Sequence, residues 1–301
     1  MSSTPASRLG QAIANGDFVM TAEITPRLSG SADDVLQQAL PLKNKATAIN
    51  VTDGAGARVA MSSIAASAIL ARNGMEPVLQ MTCRDRNRIA IAADLIGAAA
   101  LGIQNILVLT GDNPGAGDEP DAKGVFDLTA NEIIGLARQM SADGTINSGR
   151  ELQNPPTFVL GGVDAPFDPP SDWRPDKLLA RSDVGMQFIQ TQFCYDPDVT
   201  QRYVERLARD GLLDKVALIL GIGPIASLRS AKWMDANLFG VSIPESVLQR
   251  MESADDEAAE GHRICVELIE RYREMPGVAG VHIMAPAQNA QRIADVIDAT
   301  S

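Results

Sequence analysis

The sequence has few of the residues on which several common catalytic mechanisms depend. Its 301 residues include two histidines, His262 and His282, and three cysteines, Cys83, Cys194 and Cys265. The cysteines are far apart and have no C-x-x-C spacing, which argues against a disulfide framework and against a structural zinc site. So few histidines argue against a histidine triad or a metal site built from several histidines. Any chemistry must therefore depend on carboxylates, amides or a bound cofactor.

Positive charge, aromatic residues and long apolar runs are also scarce. Lys and Arg number 26 against 38 Asp and Glu, which gives a net charge of −12 and no electrostatic footprint for nucleic acid or an anionic membrane. No segment approaches the roughly 18 apolar residues that span a bilayer. The first residues, MSSTPASRLGQAIANGDF, are polar and do not resemble a secretory signal. We therefore expect a cytoplasmic protein that binds neither nucleic acid nor a membrane.

Short apolar runs alternate with longer amphipathic stretches along the whole chain, which is typical of strand-helix units on a parallel sheet. We count eight units, and this number favours a (β/α)8 barrel, as one domain over residues 1 to 301, over an open doubly wound sheet. The predicted strands are Phe18 to Ile24, Ala46 to Thr52, Pro77 to Cys83, Asn105 to Thr110, Thr157 to Gly162, Gln187 to Gln192, Val216 to Leu220 and Val281 to Met284. The predicted helices are Ala32 to Leu40, Val59 to Ala71, Ile89 to Leu101, Ala130 to Met140, Pro175 to Ser182, Val199 to Arg209, Ala226 to Ala236 and Ala287 to Ala299. The sequence between Ile243 and Gly277 predicts extra helices before strand eight.

In a (β/α)8 barrel the active site lies at the C-terminal ends of the strands. The long loop after strand four, GDNPGAGDEPDAKGVFD from Gly111 to Asp127, is our first functional candidate there. The polar residues expected at the same edge are Glu23, Thr52, Asp53, Gln80, Thr82, Arg84, Thr110, Asp112, Gln192 and His282.

Glu23 is the most informative of these residues because it interrupts the apolar run VMTAEI. A carboxyl group that faces the barrel interior loses solvent, which raises its pKa and suits it to donate a proton near neutral pH. An outward or ion-paired glutamate is the alternative. Asp112, in LTGD, either lies near a ligand that approaches the backbone at Gly111 or is an ordinary turn residue.

Other motifs are less specific. The arginines of CRDRNR, Arg84 to Arg88, bind a phosphate or pair with neighbouring carboxylates, and both interpretations stay open. Cys194 and His282 are expected to be buried structural residues. The glycines of GAGAR, from Gly54, and GIGP, from Gly221, do not complete G-x-G-x-x-G, and neither segment is a P-loop. A Rossmann dehydrogenase is therefore disfavoured.

Several segments together resemble the methylenetetrahydrofolate reductase family, in particular its short bacterial form. They are AEITPR, NVTDGAGARVAMS, LQMTCRDRNR, ALGIQNILVLTGDNPGAGDEPDAKGVFD, QFIQTQFCYD, GIGPI and SIPESVLQRM. The likeness covers nearly the whole chain and is most specific from Met81 to Asp127, where it is similar to the branch found beside homocysteine methyltransferases and in acetogenic bacteria. The resemblance implies a (β/α)8 barrel that reduces 5,10-methylenetetrahydrofolate to 5-methyltetrahydrofolate, in one-carbon metabolism and methionine biosynthesis. It also implies NADH or NADPH as the reductant and FAD as a bound cofactor.

The resemblance implies roles for individual residues as well. Glu23 corresponds to the general acid that protonates the folate ring nitrogen, Asp112 to a carboxylate near the flavin and the pterin, and Gln192 to an amide that binds the folate. The positions that hold the flavin in the family are Thr52, Asp53, Ala55, Gln80, Thr110, Gly111, Asp112, Asp127, Gly161 and Arg181.

The sequence departs from the family pattern at some cofactor positions. Gln80 stands where the best-known members have histidine, and Thr110 stands where they have arginine. The segment GGVDAPFD lacks an expected tyrosine and histidine, Arg181 alone remains of a basic pair, and Met234 occupies the position of an expected aromatic residue. FMN or no flavin are therefore alternatives to FAD. The alternative functions are a flavin-free reductase of the same substrate and a pterin-binding partner subunit of a methyl-transfer system. A homo-oligomer or a methyltransferase partner also stays open.

Overall fold

Eight parallel strands form a closed barrel in the computed structural model, which describes residues 7–285 and 289–301. The strands are β1 Val19–Ile24, β2 Ala48–Val51, β3 Pro77–Thr82, β4 Asn105–Leu109, β5 Val159–Asp164, β6 Phe188–Phe193, β7 Ala217–Ile222 and β8 Val278–Ile283. Each strand pairs with its neighbours in chain order, and β8 closes the barrel on β1 with Val19 opposite Gly280 and Ala22 opposite Ile283. The predicted (β/α)8 barrel is confirmed.

Helices follow the strands along the chain. Those described are α1 Arg8–Asn15, α2 Ala32–Ala39, α3 Ser63–Arg72, α4 Arg88–Ala100, α5 Ala130–Ala142, α6 Asp176–Asp183, α7 Pro197–Arg209, α8 Leu228–Asn237, α9 Glu245–Glu252, α10 Glu257–Arg273 and α11 Ala290–Thr300. The extra helices predicted before the last strand are present as α9 and α10. Helix α1 was not predicted from the sequence. The predicted start of the last helix, Ala287, lies outside the described residues. None of the described helices is long and apolar enough to cross a membrane.

The lower layer of the barrel interior is apolar and is closed from below by α1. Glu76 fixes this helix because its carboxylate accepts the backbone N–H groups of Arg8 at 2.7 Å and Leu9 at 2.8 Å. The Leu9 side chain then packs into a cluster formed by Val19, Ala48, Val78, Leu107, Val159, Phe188 and Ile219. Burial of this layer separates the interior of the barrel from the solvent at its N-terminal face.

The next layer toward the C-terminal ends of the strands is polar. Thr21, Asn50, Gln190 and His282 face one another there, and each is at most 3% exposed. Barrel interiors are usually filled by branched apolar side chains, and buried polar groups must find hydrogen-bond partners. A polar layer at this depth therefore needs a reason other than packing.

The long loop after β4 folds across the C-terminal face onto the loop after β2. Gly117 lies so close to Ala57 that a Cβ there would be 1.8 Å from the Ala57 carbonyl oxygen, so only glycine fits. The backbone N–H of Gly56 donates to the carboxylate of Asp112 at 2.8 Å. The loop chosen from the sequence as the first functional candidate thus lies at the face where active sites of this fold are formed.

Candidate active site

A cavity of about 740 Å³ lies at the C-terminal ends of the strands. Its volume is within the range of pockets that bind small molecules and cofactors. The residues singled out as site residues from the sequence that border it are Glu23, Gln80, Thr110, Gly111, Asp112, Arg181 and Gln192. These residues come from five different strand-helix units, and the barrel brings them to one place.

Glu23 lies on the inner wall of the cavity, with 22% of its side chain exposed. Its Oε2 atom accepts a hydrogen bond from Nε2 of Gln80 at 2.9 Å, and Nε2 of His282 lies 3.5 Å from the same oxygen. The carboxyl group therefore faces the interior of the barrel, between polar neighbours. His282 is buried, as expected from its apolar strand, but it also borders the cavity.

Asp112 lies at the rim of the cavity, where the chain leaves β4. Gly111 precedes it with φ +90°, and a Cβ at Gly111 would come within 3.0 Å of Thr82 and Arg84. The turn therefore requires glycine, both for its left-handed backbone and for its close approach to these side chains. This turn places the Asp112 carboxylate at the edge of the cavity.

Gln192 connects the end of β6 to a loop after α8. Its Nε2 donates to the backbone carbonyl of Phe239 at 3.3 Å, and its Oε1 accepts from the Phe193 N–H at 3.0 Å. The Phe239 ring borders the cavity and is 89% exposed. Met234, which occupies the position of an expected aromatic residue, is buried against the core of the barrel.

A buried carboxyl group that the sequence analysis missed also borders the cavity. Asp164 ends β5, and the hydroxyl of Tyr203 donates a hydrogen bond to it. Burial raises the pKa of Asp164, although the hydrogen bond from Tyr203 opposes this shift. Phe167 borders the same cavity, and its ring packs edge-on against the Trp173 ring, with 5.1 Å between the ring centroids. The signal that could have identified Asp164 is its place in GGVDAPFD, where it is the first polar residue after the apolar run FVLGGV.

Asp53 lies outside the cavity, in an ion pair with Arg86. The guanidinium donates to both carboxylate oxygens, at 2.6 and 3.1 Å, and Ser63 and Thr82 donate to them as well. Burial would raise the pKa of Asp53, but the hydrogen bonds and charge of Arg86 outweigh it and hold this pKa below its usual range. The carboxylate oxygens of Asp53 are thus already bound within the protein.

The other arginines of CRDRNR are also paired with carboxylates. Arg84 donates to Asp85 at 2.7 Å, and Arg88 donates to Asp127 at 2.8 and 2.9 Å. These contacts confirm the ion-pair interpretation of the motif. Asp127 also lies outside the cavity, where its carboxylate accepts from the backbone N–H of Arg88, the first residue of α4.

The remaining predicted cofactor residues lie outside the cavity too. Ala55 is exposed on a 3-10 turn of the loop after β2. Gly161 faces the Phe188 ring, and a Cβ on it would lie 2.2 Å from that ring. The hydroxyl of Thr52 is buried and has no hydrogen-bond partner among the described residues.

Cys194 is a buried free thiol, and burial raises its pKa to about 11.

Comparison with known proteins identifies the family. The family model for methylenetetrahydrofolate reductase matches residues 8–299. The chain belongs to the methylenetetrahydrofolate reductase family. The resemblance carried by the sequence motifs is thereby confirmed over most of the chain.

Relatives of this methylenetetrahydrofolate reductase family chain differ in length. A probable methylenetetrahydrofolate reductase (NADPH) of Caenorhabditis elegans is 26% identical over 234 residues, which is 75% of this chain and 32% of that protein. The 5,10-methylenetetrahydrofolate reductase of Salmonella typhimurium is 24% identical over 256 residues, which is 83% of this chain and 79% of that protein. The chain thus spans a minor part of the nematode relative and most of the bacterial one.

A solved structure shares the fold. An uncharacterized protein from Clostridium thermocellum that binds two copies of 5-methyl-5,6,7,8-tetrahydrofolic acid aligns with a TM-score of 0.61 over 98% of both chains. The two sequences are 16% identical, so this likeness concerns the barrel alone.

Proposed function

We propose that this chain reduces 5,10-methylenetetrahydrofolate to 5-methyltetrahydrofolate with a hydride from NADH or NADPH. The observation that carries the proposal is the carboxyl group of Glu23 on the wall of a cavity that Asp112 and Gln192 also border. The reduction needs a proton donor, a negative charge near a cationic intermediate and a group that orients the pterin. A protein that only bound folate would not need all three.

The first chemical step is the protonation of the folate nitrogen that leaves the bridging carbon. Glu23 donates this proton, the C–N bond breaks, and the bridge becomes an iminium cation on the remaining nitrogen. A hydride from the dihydronicotinamide then adds to the iminium carbon and forms the methyl group, while the nicotinamide is oxidised. The carboxylate of Glu23 regains a proton from water when the product has left.

Asp112 and Gln192 assist this step without exchanging atoms with the substrate. The Asp112 carboxylate lies exposed at the rim of the cavity, and its fixed negative charge stabilises the positive charge of the iminium. The amide of Gln192 binds the pterin and orients the bridging carbon toward the hydride donor.

The side chains favour direct transfer of the hydride from the nicotinamide over transfer through FAD. Half of the positions that hold the flavin in the family border the cavity, but the other half do not. Asp53 and Asp127 already pair with arginines, and a phenylalanine ring fills the space beside Gly161. The carboxylates of Asp53 and Asp127 are thus engaged within the protein and Gly161 has no space beside it, so these three positions do not favour a complete FAD.

We expect the purified protein to be colourless and to oxidise NADH or NADPH only when 5,10-methylenetetrahydrofolate is present. With deuterium at C4 of the reduced nicotinamide, the label should appear undiluted in the methyl group of the product, because a direct hydride does not exchange with water. Visible absorption spectra and mass spectrometry of the product test this.

Two other results would change the proposal. A flavin spectrum that bleaches with NADH and returns with folate, together with loss of the label to solvent, would establish the flavin route instead. Folate binding without nicotinamide oxidation, with any electron acceptor, would show a pterin-binding partner subunit of a methyl-transfer system.

Phe239→Ala should raise KM for the folate about fivefold, since an aromatic contact contributes roughly 1 kcal/mol and 1.4 kcal/mol is a factor of ten. The melting temperature should stay unchanged because the ring is 89% exposed. Trp233→Ala is the matched control: Trp233 is an exposed aromatic residue on α8 that does not border the cavity. An equal KM for both variants would remove Phe239 from the folate site.

A further inference from the structure

A continuous chain of polar side chains runs from the middle of the barrel to Glu23. Asn50 and Gln190 exchange amide hydrogen bonds at 2.5 and 3.2 Å, and Nε2 of Gln190 also donates to Oγ1 of Thr21 at 3.0 Å. Oγ1 of Thr21 lies 2.9 Å from Nδ1 of His282. The other ring nitrogen of His282, Nε2, lies 3.5 Å from Oε2 of Glu23. The chain thus links four strands to the proposed acid.

The hydrogen bonds along this chain favour one protonation state of the imidazole. Each hydrogen of the Gln190 amide has an acceptor, one on Asn50 and one on Thr21. Since the Thr21 oxygen accepts, its own hydrogen is left to donate, and Nδ1 of His282 at 2.9 Å is a nearer acceptor than the Val281 carbonyl at 3.5 Å. The shorter contact favours Nδ1 as the acceptor, and a neutral imidazole with this arrangement carries its proton on Nε2.

The Glu23 end of the chain is consistent with the same arrangement. Oε2 already accepts from Gln80, and an N–H at Nε2 of His282 is attracted to this oxygen, whereas a bare lone pair would be repelled by an unprotonated Oε2. Gln80 also donates to Oε2, so among the described residues both polar neighbours of this carboxyl group present hydrogen to one oxygen. The proton of the carboxylic acid then resides on the other oxygen, Oε1.

We propose that His282 is a positioning residue, a neutral imidazole that Thr21, Gln190 and Asn50 hold in its Nε2–H form. The Nε2–H group makes Oε2 of Glu23 a hydrogen-bond acceptor. The other oxygen of Glu23, Oε1, then delivers the proton to the substrate. This inference rests on the proposed reductase function. It explains why the layer below the cavity is polar: the buried amides set the tautomer of a histidine that sets the geometry of the acid.

The tautomer can be measured without any enzyme activity. The sequence has only two histidines, so nitrogen-15 labelling of histidine gives two rings, and a His262→Gln variant assigns them. We expect an unprotonated Nδ1 and a protonated Nε2 for His282. Protonated Nδ1 would overturn the proposal, because Nδ1–H would then donate to Thr21 and the Thr21 hydroxyl would donate to the Val281 carbonyl, so that the amides would not set the tautomer. If the reductase function fails while the Nε2–H form is found, the two conclusions are separated.

The kinetic test compares two amides at position 282. In His282→Gln the side-chain nitrogen can occupy the position of Nε2, and the oxygen can accept from Thr21, so kcat should stay within about threefold of wild type. His282→Asn is too short to reach Glu23 and should lose about tenfold in kcat, which is part of the roughly 10²- to 10⁴-fold that general acid catalysis contributes. KM for the folate should change little in both variants.

Thr21→Val and Thr21→Ser provide a second pair, remote from the substrate. Valine removes the hydroxyl at similar volume and should alter the nitrogen-15 pattern of His282 and lower kcat, and serine should restore both. Equal kcat in His282→Gln and His282→Asn, or an unchanged histidine spectrum in Thr21→Val, would show that the layer is only structural.

Discussion

Glu23→Gln should reduce the rate of folate reduction by about a thousandfold, because a positioned general acid contributes roughly 10²- to 10⁴-fold and glutamine has the same shape but no acidic proton. Binding of 5-methyltetrahydrofolate should remain, since the amide can still occupy the place of the carboxyl group beside Gln80 and His282. Turnover of nicotinamide with the folate, and binding of the product by calorimetry, test the two halves of this prediction.

Asp164→Asn is the matched control for this experiment. Asp164 also borders the cavity, and burial raises its pKa, so it is the other carboxyl group that could donate a proton. We expect its replacement to lower the rate by less than tenfold, which is about 1.4 kcal/mol. A thousandfold loss in Asp164→Asn with near-normal turnover in Glu23→Gln would transfer the role of the acid to Asp164.

Arg86→Met should destabilise the protein by about 3 to 5 kcal/mol, because it leaves the buried carboxylate of Asp53 without its partner. Asp53 is 7% exposed and Arg86 is 14% exposed, so water cannot replace the lost contact. Arg88→Met, in the same motif, is the control: this arginine is 57% exposed and its pairing with Asp127 is screened by solvent, so little change is expected. Urea denaturation followed by circular dichroism measures both.

The effect of Arg86→Met should depend on pH in one direction. Because Arg86 holds the pKa of Asp53 below that of the unfolded chain, the pair contributes its full stability above about pH 4 and loses it as the pH falls through the lower, folded value. In Arg86→Met, burial without the arginine raises the pKa of Asp53, so the difference between wild type and variant should be largest at neutral pH and shrink on acidification, as the carboxyl group of the variant takes up a proton. A difference that grows on acidification would contradict the assignment of the stability to Asp53.

The barrel was predictable because most of its strands are runs rich in Val, Ile and Leu, and such runs are typical of parallel strands that are buried on both faces. Helix α1 was missed because its eight residues precede the first strand, outside the strand-helix alternation, and its position depends on Glu76, 67 residues away from Leu9. Local pattern carries no information about such a distant contact.

The candidate site was predictable only in part, for a similar reason. Glu23, Asp112 and Gln192 each end or follow a strand, so the fold places them at the cavity. Asp53 has an equivalent position, yet its carboxylate turns to Arg86, and only the three-dimensional structure shows which partner a charged side chain selects. Phe239 lies in a loop, where no periodic pattern in the sequence shows which way a side chain points.

The apolar floor formed by Leu9 and the layer above α1 leaves the acid with a single supply of protons. Beneath Glu23 the polar chain ends at Asn50, and the next layer is hydrocarbon. In the proposed reaction, each proton that Glu23 gives to a folate would be replaced from the mouth of the cavity, which the product would occupy until it leaves. In this scheme Glu23 is reprotonated only as the methylated folate leaves. Heavy water should therefore slow a step after hydride transfer, the reprotonation of Glu23, as well as the protonation step before it.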